Sequence, residues 1–373
     1  MSDSVPVRDF LTSRDALTLA THAAEALGLV VATTRVERAY SARYSFAIYA
    51  VGEEQIVIGN RIPPQPHNRS DLVLLASPVG QLVAFRLPHD PFLPGLPAIM
   101  SGEGQLVAYR PGRRAVVKFP NGTYAKTTQP HTFARLAHNH EVCATAGLPV
   151  PQIVERAEHH IVVTRRTGTN LLAMLDKHGP HYTAERVEQL LDILPSALLT
   201  NPVHPSWCAR IDYHARMAAA AAPTKTDLIH HIAAQVRQDI ARQAAHPPGP
   251  VVPTHGDLYE ANILTDGDTI TGLLDIDTAG PGHRIDDYAC LLGHLAVSPR
   301  RSAAAEHRHM VKELWQACAG ATPHRLAVRT AGIILTLVAG ARRDQRREDA
   351  AQLALANYRV DLAYRWLQAD PPR

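Results

Sequence analysis

Three side chains within residues 254–275 carry the groups that phosphoryl transfer requires. Asp257 is followed five positions later by Asn262 and eighteen positions later by a second aspartate, Asp275. A carboxylate can orient an attacking hydroxyl and accept its proton. A neutral amide oxygen and a second carboxylate can hold the Mg²⁺ that accompanies nucleotide phosphates. The spacing therefore predicts a catalytic base at Asp257 and metal ligands at Asn262 and Asp275.

The surroundings of these residues make the pattern more specific than its spacing alone. An Asp and an Asn five positions apart occur often by chance, but here His255 and Gly256 precede the aspartate and an apolar pair follows the asparagine. Gly256 allows the backbone a close approach or a strained turn. The apolar residues at 270–274 predict short strands that present Asp275. The combination favours a catalytic loop.

Three antiparallel strands are predicted well ahead of this loop. The first two are expected at 105–109 and 115–119. Asn121-Gly122 then predicts a tight hairpin, because both residue types tolerate positive φ. The third strand ends at Lys126.

The lysine that ends the third strand has a candidate partner in the next helix. A helix is predicted over 131–146, and Glu141 lies inside it, fifteen residues after Lys126. In kinase-like lobes a strand lysine binds the α and β phosphates and a helix glutamate holds its ammonium group. Lys118 is the alternative, but it lies on the middle strand and farther from Glu141 in the chain. Lys126 and Glu141 are therefore the preferred pair.

A tight turn at Pro111-Gly112 is the candidate phosphate loop. It is shorter than a Gly-x-Gly-x-x-Gly loop, so its backbone offers a modest cradle for phosphates. Arg113 or Arg114 could reach a phosphate from the same turn, although surface arginines are common. An ordinary hairpin can also contain Pro-Gly. Gly112 and Arg113 are assigned to nucleotide binding as an expectation.

Three regions are predicted along the chain. Residues 1–100 form an α+β extension, in which Ser13 caps a helix that stops at Gly28. This extension is either a recognition cap or a cover for exposed sheet. Residues 101–168 form a nucleotide-binding N-lobe, and residues 169–373 form a mostly helical catalytic C-lobe with the acceptor site.

A longer segment resembles the aminoglycoside phosphotransferase and choline kinase-like family, a branch of the protein-kinase-like superfamily. The signature His-Gly-Asp-Leu-x3-Asn-Ile-Leu matches His255–Leu264. Its second part, Ile-Asp-x3-Ala-Gly-x-Gly-x-Arg-x2-Asp-x-Ala, matches Leu274–Ala289. Leu274 stands where isoleucine is usual, and Tyr288 stands where leucine is common. The resemblance covers residues 101–366, closely in the signature and loosely elsewhere.

The resemblance implies an α+β, two-lobed protein-kinase-like fold with a small antiparallel β N-lobe, a mostly helical C-lobe and, here, the N-terminal extension. It also implies Mg²⁺, ATP or GTP as phosphoryl donor, and a small-molecule hydroxyl as acceptor, such as an antibiotic, aminosugar or amino alcohol. Carried over by position, Asp257 is the base, Asn262 and Asp275 are the metal ligands, and Lys126 and Glu141 orient the phosphates. These five side chains are expected to meet around one magnesium-bound triphosphate.

Three further residues match the signature without a predicted chemical step. The resemblance implies that His255 and Asp287 brace the loop. Asp277 either lines the metal or acceptor site or serves as a hydrogen-bonded turn residue. All three are therefore expected to support the site.

Two other functions remain open on the sequence alone. The acceptor could be a Ser or Thr of a peptide, docked by the N-terminal extension. The chain could also be a catalytically silent kinase fold that serves as a binding partner, although it retains all five predicted site residues. The acceptor pocket is expected near the Asp257 loop and residues 182–245. The aspartates of that segment look mostly solvated, namely Asp192, Asp212, Asp227 and Asp239.

Composition narrows the class of protein. Apolar residues make up 46% of the 373 residues and charged residues 20%, which predicts a globular protein large enough for two lobes. The net charge of +3 is small and the basic residues are scattered, so no nucleic-acid partner is expected.

The four cysteines are far apart and form no Cys-x-x-Cys pair, so a reducing cytoplasm is expected. The close histidine pairs lack further ligands at metal-site spacing. The N-terminus lacks the pattern of a signal peptide. The apolar run at 333–338 is too short to span a bilayer, and no membrane partner is expected.

Overall fold

The structure is a computed structural model that describes residues 7–31, 33–40, 44–64, 70–298, 305–320, 322–343 and 348–368. The chain divides into two compact units. The first contains residues 1–137 and 152–165, and the second contains residues 138–151 and 166–373. The predicted α+β class is confirmed, because antiparallel sheets and helices both contribute substantially.

The first unit begins with two helices and a five-stranded antiparallel sheet. Ser13 caps the second helix by accepting a hydrogen bond from the Ala16 amide at 3.3 Å, as its sequence predicts. The strands are arranged in the order β1-β2-β3-β5-β4. The elements are α1 (Val7–Leu11), α2 (Arg14–Ala26), β1 (Thr34–Tyr40), β2 (Phe46–Val51), β3 (Glu54–Gly59), β4 (Leu72–Ser77) and β5 (Gly80–Arg86).

Alternation along β2 places side chains in two separate cores. Ala47, Tyr49 and Val51 pack with the helices α1 and α2. Phe46 and Ile48 point to the opposite face and join a core that includes the second sheet. The N-terminal sheet is therefore buried on both faces along this strand.

The second sheet of the first unit contains the predicted hairpin. Its strand order is β6-β7-β8-β10-β9, and all its pairs are antiparallel. Gly122 has φ of +84° at the turn between β7 and β8, which explains the glycine. The elements are α3 (Leu96–Met100), β6 (Gln105–Arg110), β7 (Arg114–Lys118), β8 (Tyr124–Thr128), α4 (Pro130–Thr145), β9 (Ile153–Arg156) and β10 (His160–Val163).

A buried aspartate ties the end of the extension to the second sheet. Asp90 accepts hydrogen bonds from the Phe92 amide at 2.9 Å, the Tyr109 hydroxyl at 2.9 Å and the Gly112 amide at 2.7 Å. Burial raises the pKa of Asp90, and these hydrogen bonds and the charge of Arg61 oppose that rise. Residue 100, where the extension was predicted to end, lies inside the first compact unit. The division between the units at 165/166 lies close to the second predicted boundary, at residue 168.

The second unit is mostly helical, and α10 is its most central helix, because it packs against α6, α7, α8 and α11. A break at Gly179 interrupts α5, where φ is 79° and ψ is 176°. The helices are α5 (Leu171–Asp192), α6 (Ile211–Ala221), α7 (Thr226–Arg242), α8 (Arg284–Ala296), α9 (Ala305–Cys318), α10 (Pro323–Val338) and α11 (Asp349–Leu367), together with the end of α4.

One predicted feature of this unit is wrong. Asp239, expected to be solvated, is only 8% exposed and accepts hydrogen bonds from Arg325 at 2.6 Å and from the fully buried Arg329 at 2.9 Å. Arg329 also donates to Asp286 at 2.7 Å. The buried charges are therefore paired, as buried ions generally must be.

The apolar stretch that contains most of α10 is longer than the apolar run at 333–338. Among the described residues, His324–Ala341 is long and apolar enough to cross a membrane, with a mean hydropathy of 1.2. However, 67% of that stretch is buried inside the structure. Its apolar character is explained by packing in the helical core.

Two small sheets in the second unit hold the candidate site. β12 (Val252–Thr254) pairs with β15 (Gly280–Gly282). β11 (Thr169–Asn170), β13 (Ile263–Asp266) and β14 (Thr269–Leu273) form a three-stranded antiparallel sheet. The loop between β12 and β13 contains Asp257, and Asp275 follows β14.

Candidate active site

A buried carboxylate braces the start of the loop between β12 and β13, which is the predicted catalytic loop. The amides of His255 and Gly256 donate hydrogen bonds to the two carboxylate oxygens of Asp287, each at 2.9 Å. Asp287 is 1% exposed, and burial raises its pKa while the two amide hydrogen bonds oppose that rise. Asp287 therefore holds the backbone of His255 and Gly256 in place.

The ring of His255 connects the catalytic loop to the segment before Asp275. Its Nε2 lies 2.8 Å from the Leu274 carbonyl oxygen, and its Nδ1 accepts a hydrogen bond from the Asp257 amide at 3.3 Å. Because a carbonyl oxygen can only accept, the proton lies on Nε2 and Nδ1 is unprotonated. His255 is therefore a neutral brace in this arrangement.

Asn262 is oriented by the backbone of Asp257, which lies five positions before it. Its Nδ2 donates to the Asp257 carbonyl oxygen at 3.0 Å, and the backbone carbonyl of Asn262 accepts from the Leu274 amide at 2.8 Å. Only the amide nitrogen can donate to a carbonyl, so this bond fixes which way the side chain is turned. Fixing Nδ2 also fixes the side-chain oxygen at the other end of the amide, and oxygen is the atom type that Mg²⁺ prefers.

Asp275 has an unusual backbone conformation. Its φ of 54° and ψ of 45° are left-handed, and it is the one non-glycine residue with positive φ in the described part of the chain. Such a conformation costs an L-residue roughly 1–2 kcal/mol. Strain of this kind is often found where a side chain must be aimed at a functional site.

A pair of asparagines stabilises the turn that follows Asp275. Asn139 donates to the carbonyls of Ile276 and Ala279 at 2.8 and 3.1 Å. Asn201 donates to the side-chain oxygen of Asn139 at 2.8 Å and to the Ala279 carbonyl at 3.0 Å. The end of α4 therefore helps to hold the turn that follows Asp275, a role that the sequence did not indicate.

Gly256 has a positive φ of 81° inside a tight contact. A Cβ atom there would lie 3.0 Å from the Thr278 carbonyl oxygen and 3.1 Å from its Oγ1. Thr278 Oγ1 also donates to the His255 carbonyl at 3.1 Å, so the two segments cannot separate freely. Glycine is therefore required both for the backbone conformation and for space.

Gly256→Ala is expected to lower the free energy of unfolding by about 1–3 kcal/mol, through backbone strain and the contact with Thr278. Urea unfolding measures this. Gly267→Ala is a matched control, because Gly267 also has positive φ, at 61°, but its nearest neighbour is the Lys177 Nζ at 3.8 Å. Equal losses in the two variants would show that the Thr278 contact adds nothing.

A buried thiol lies beside Asp257, and a tyrosine that stacks on a histidine lies close to it in the chain. Cys290 Sγ lies 3.9 Å from Asp257 Oδ1, and burial raises the pKa of Cys290 well above its ordinary value, so it stays a thiol. The ring of His294 stacks on Tyr259 with ring centroids 4.4 Å apart. Burial raises the pKa of Tyr259, and the charges of Asp257 and Asp275 add to that rise. Tyr259 thus lies within electrostatic range of both predicted carboxylates.

His294→Gln is expected to weaken the pH dependence of stability. Burial lowers the pKa of His294 from 6.5 to about 4, and the charge of Arg359 adds to this. Between these values the unfolded chain binds the extra proton and the folded chain does not, so stability falls as pH falls. The contribution is on the order of 1–2 kcal/mol between pH 7 and pH 5. Urea midpoints at both pH values measure it, and parallel curves for wild type and variant would contradict it.

The residues predicted to orient the nucleotide lie in different compact units. Lys126 is on β8 of the first unit, and Glu141 is exposed on the part of α4 that belongs to the second. Lys126 is half-buried, and its neighbours Ala125 and Thr127 are buried on the other face of the strand. The Lys126–Glu141 pair stays a prediction.

The Pro111-Gly112 turn is tied to its own unit. Gly112 is buried with φ of 65°, its amide donates to Asp90, and its carbonyl accepts hydrogen bonds from Arg61 at 2.8 Å and from Gln129. A phosphate would therefore have to compete with Asp90 for the Gly112 amide. Arg113 is exposed at the same turn. Nucleotide binding by Gly112 and Arg113 stays a prediction.

Asp277 lies in the short 3₁₀ turn Ile276–Thr278 and is half-buried. No group of three or more His, Cys, Asp or Glu residues suitable for a metal is present in the described ranges. A magnesium site at Asn262 and Asp275 would thus need oxygen ligands from the nucleotide or from water. Both metal assignments and the role of Asp277 stay predictions.

A cavity of about 300 Å³ lies beside the catalytic loop within the second unit. Gly256 and Thr278 form one part of its wall, and residues 203–207 form another. Asp286 and Gln243 contribute polar groups, while Val203 and Val251 are apolar and exposed. The volume is at the lower end of the range for small-molecule sites.

A family profile matches the part of the chain that contains the candidate site. Residues 101–328 match the profile of the phosphotransferase enzyme family. No curated protein matches the chain.

Solved structures with similarity to this chain include aminoglycoside phosphotransferase APH(3'')-Id from Streptomyces rimosus in complex with ADP and streptomycin. It is 20% identical, with 65% of this chain and 97% of that chain covered and a TM-score of 0.43. A choline/ethanolamine kinase family protein from Mesorhizobium loti is 17% identical, with 74% and 92% covered and a TM-score of 0.46.

Proposed function

Because the chain belongs to the phosphotransferase enzyme family, we propose that it moves the γ-phosphate of ATP, or of GTP, to a hydroxyl of a small molecule. The acceptor is an antibiotic, an aminosugar, an amino alcohol or a compound of similar size. The observation that carries the proposal is the bonding of Asp257, whose amide and carbonyl are both held by signature side chains, His255 and Asn262.

Asp257 acts as the base. Its backbone is fixed on both sides, so its carboxylate is presented from a rigid support, and rigid placement is what a positioned base requires. The carboxylate orients the acceptor hydroxyl and receives its proton. The buried thiol of Cys290 donates a weak hydrogen bond to Oδ1 of this carboxylate, at 3.9 Å.

Asn262 and Asp275 fit Mg²⁺, because an amide oxygen and a carboxylate are the hard ligands that this ion prefers. When bound, Mg²⁺ would neutralise charge on the nucleotide phosphates. Asn262 holds its amide in one orientation through Asp257, and Asp275 follows a strand end braced by His255. Lys126 contributes contacts to the phosphates, with Gly112 and Arg113 as further candidates, and Glu141 serves to hold the Lys126 ammonium group.

The cavity beside Gly256 is the proposed acceptor site. It is next to the Asp257 backbone, and its mixture of polar and apolar walls suits a small polar molecule with an apolar part. The four cysteines are free thiols, as they would be in the reducing compartment that we propose for the protein.

A nucleotide-consumption screen tests the proposal. Wild-type protein and Asp257→Asn are incubated with Mg-ATP or Mg-GTP and with sets of aminoglycosides, aminosugars, amino alcohols, nucleosides and Ser/Thr peptides. Acceptor-dependent ADP or GDP release by wild type alone would support it. Release only with peptides would move the acceptor to a Ser or Thr, and absence of nucleotide binding would favour a silent binding partner.

A further inference from the structure

A positively charged side chain lies near the catalytic loop, although the loop itself has none. Residues 257–262 contain no Lys or Arg. Arg210 ends the short 3₁₀ helix Cys208–Arg210, and its charge interacts with that of Asp257. Negative charge spreads over the transferred phosphoryl group during reaction, so a cation in this region has an evident use.

Packing places the Arg210 helix beside the loop. The guanidinium carbon of Arg210 lies 4.6 Å from the centre of the Trp207 ring. Trp207 and Ala209 line the same cavity as Gly256 and Thr278. A guanidinium stacked on an aromatic ring keeps its N–H groups at its edge, where they can donate hydrogen bonds. Trp207 therefore orients Arg210 without using its donors.

One of those donors is unused in the resting protein. The Nε atom of Arg210 is buried and has no hydrogen-bond partner in the part of the chain that the structure describes. Burial lowers the pKa of Arg210, and the charge of Asp257 opposes that change. A buried donor without a partner is unfavourable and is uncommon in folded proteins. An oxygen of an anionic ligand is an acceptor that would satisfy such a group.

We propose that Arg210 donates a hydrogen bond to the phosphoryl group as it is transferred, an inference that rests on the proposed function. The acceptor oxygen bonds to the γ-phosphorus as the bond to the ADP oxygen breaks, and the acceptor proton moves to Asp257. Arg210 keeps all its protons.

The test uses Mg-ATP hydrolysis by the full chain, with water as the acceptor. Arg210→Gln is expected to lower kcat by about 100-fold, the typical effect of losing one such donor, with KM for ATP within about twofold of wild type. Arg210→Lys is expected to retain part of the activity, because it keeps the charge and loses the fork of donors. Thermal unfolding checks that both variants fold.

The division of the effect between kcat and KM separates this role from simple packing against Trp207. Loss of a donor to the transferred group lowers kcat and spares KM for ATP, whereas loss of packing alone lowers the midpoint of thermal unfolding without a selective fall in kcat. Arg237→Gln is the matched control, because Arg237 is an exposed partner of Asp212, and it is expected to behave as wild type.

A kcat for Arg210→Gln within threefold of wild type, or a loss confined to KM, would overturn the role of Arg210. Asp257→Asn tested in parallel distinguishes this failure from that of the proposed function. If Asp257→Asn loses hydrolysis and Arg210→Gln keeps it, only the Arg210 inference fails. If Asp257→Asn keeps full hydrolysis, the proposed function fails as well.

Discussion

Asp257→Asn is expected to lower kcat for phosphoryl transfer by about 10²- to 10⁴-fold, the usual contribution of a positioned general base. The amide cannot accept the hydroxyl proton, but it preserves the shape of the side chain. Mg-nucleotide affinity is expected to stay within about twofold, because the proposed metal ligands are Asn262 and Asp275. Steady-state kinetics with an acceptor from the screen, together with calorimetric nucleotide binding, measure both quantities.

Asp266→Asn is a matched control for this change. Asp266 is an exposed aspartate at the end of β13, close in sequence and outside the catalytic loop. It is expected to keep wild-type kinetics. A wild-type kcat for Asp257→Asn would remove Asp257 from the chemistry. A large loss of nucleotide affinity in that variant would indicate a metal-binding role for Asp257 instead.

Asp287→Ala is expected to lower the free energy of unfolding by about 2–6 kcal/mol, since each unsatisfied buried donor costs about 1–3 kcal/mol. The substitution leaves the amides of His255 and Gly256 without their acceptor. Activity is expected to fall as well, because these two residues set the backbone on which Asp257 is placed. Urea unfolding and kinetics below the unfolding transition measure the two effects.

Asp287→Asn distinguishes the effect of losing one acceptor oxygen from the effect of losing the volume of the side chain. The amide retains one acceptor oxygen and places an NH₂ group against the other backbone N–H. Its stability is therefore expected to lie between those of wild type and Asp287→Ala. An alanine variant with a wild-type urea midpoint would show that the His255 and Gly256 amides find other partners, and would contradict the bracing role.

Local chemistry explains which parts of the fold the sequence could predict. The expected hairpin forms at Asn121-Gly122, where Gly122 alone adopts positive φ, and Ser13 caps the expected helix. The strand Thr34–Tyr40 was missed because three of its seven residues are charged, and its place is set by pairing with β2. β12 and β15 each contain proline, and β15 is Gly-Pro-Gly, so neither has local strand propensity.

Local sequence likewise predicts only part of the candidate site. Asp257, Asn262 and Asp275 were predicted because their spacing is short and chemically specific. Asn139 and Arg210 were missed, because they reach the site through tertiary packing from distant parts of the sequence. Asp239 looked solvated for a related reason, since its partners Arg325 and Arg329 lie 86 and 90 positions away.

The most direct measurement is calorimetric titration of a non-hydrolysable ATP analogue into wild type and Asp275→Asn, each with and without Mg²⁺. Wild type is expected to bind the analogue more tightly with Mg²⁺, and Asp275→Asn is expected to lose most of that gain, because a carboxylate ligand is removed. Equal Mg²⁺ dependence in the two proteins, or no binding by wild type, would contradict a magnesium-nucleotide site at Asn262 and Asp275.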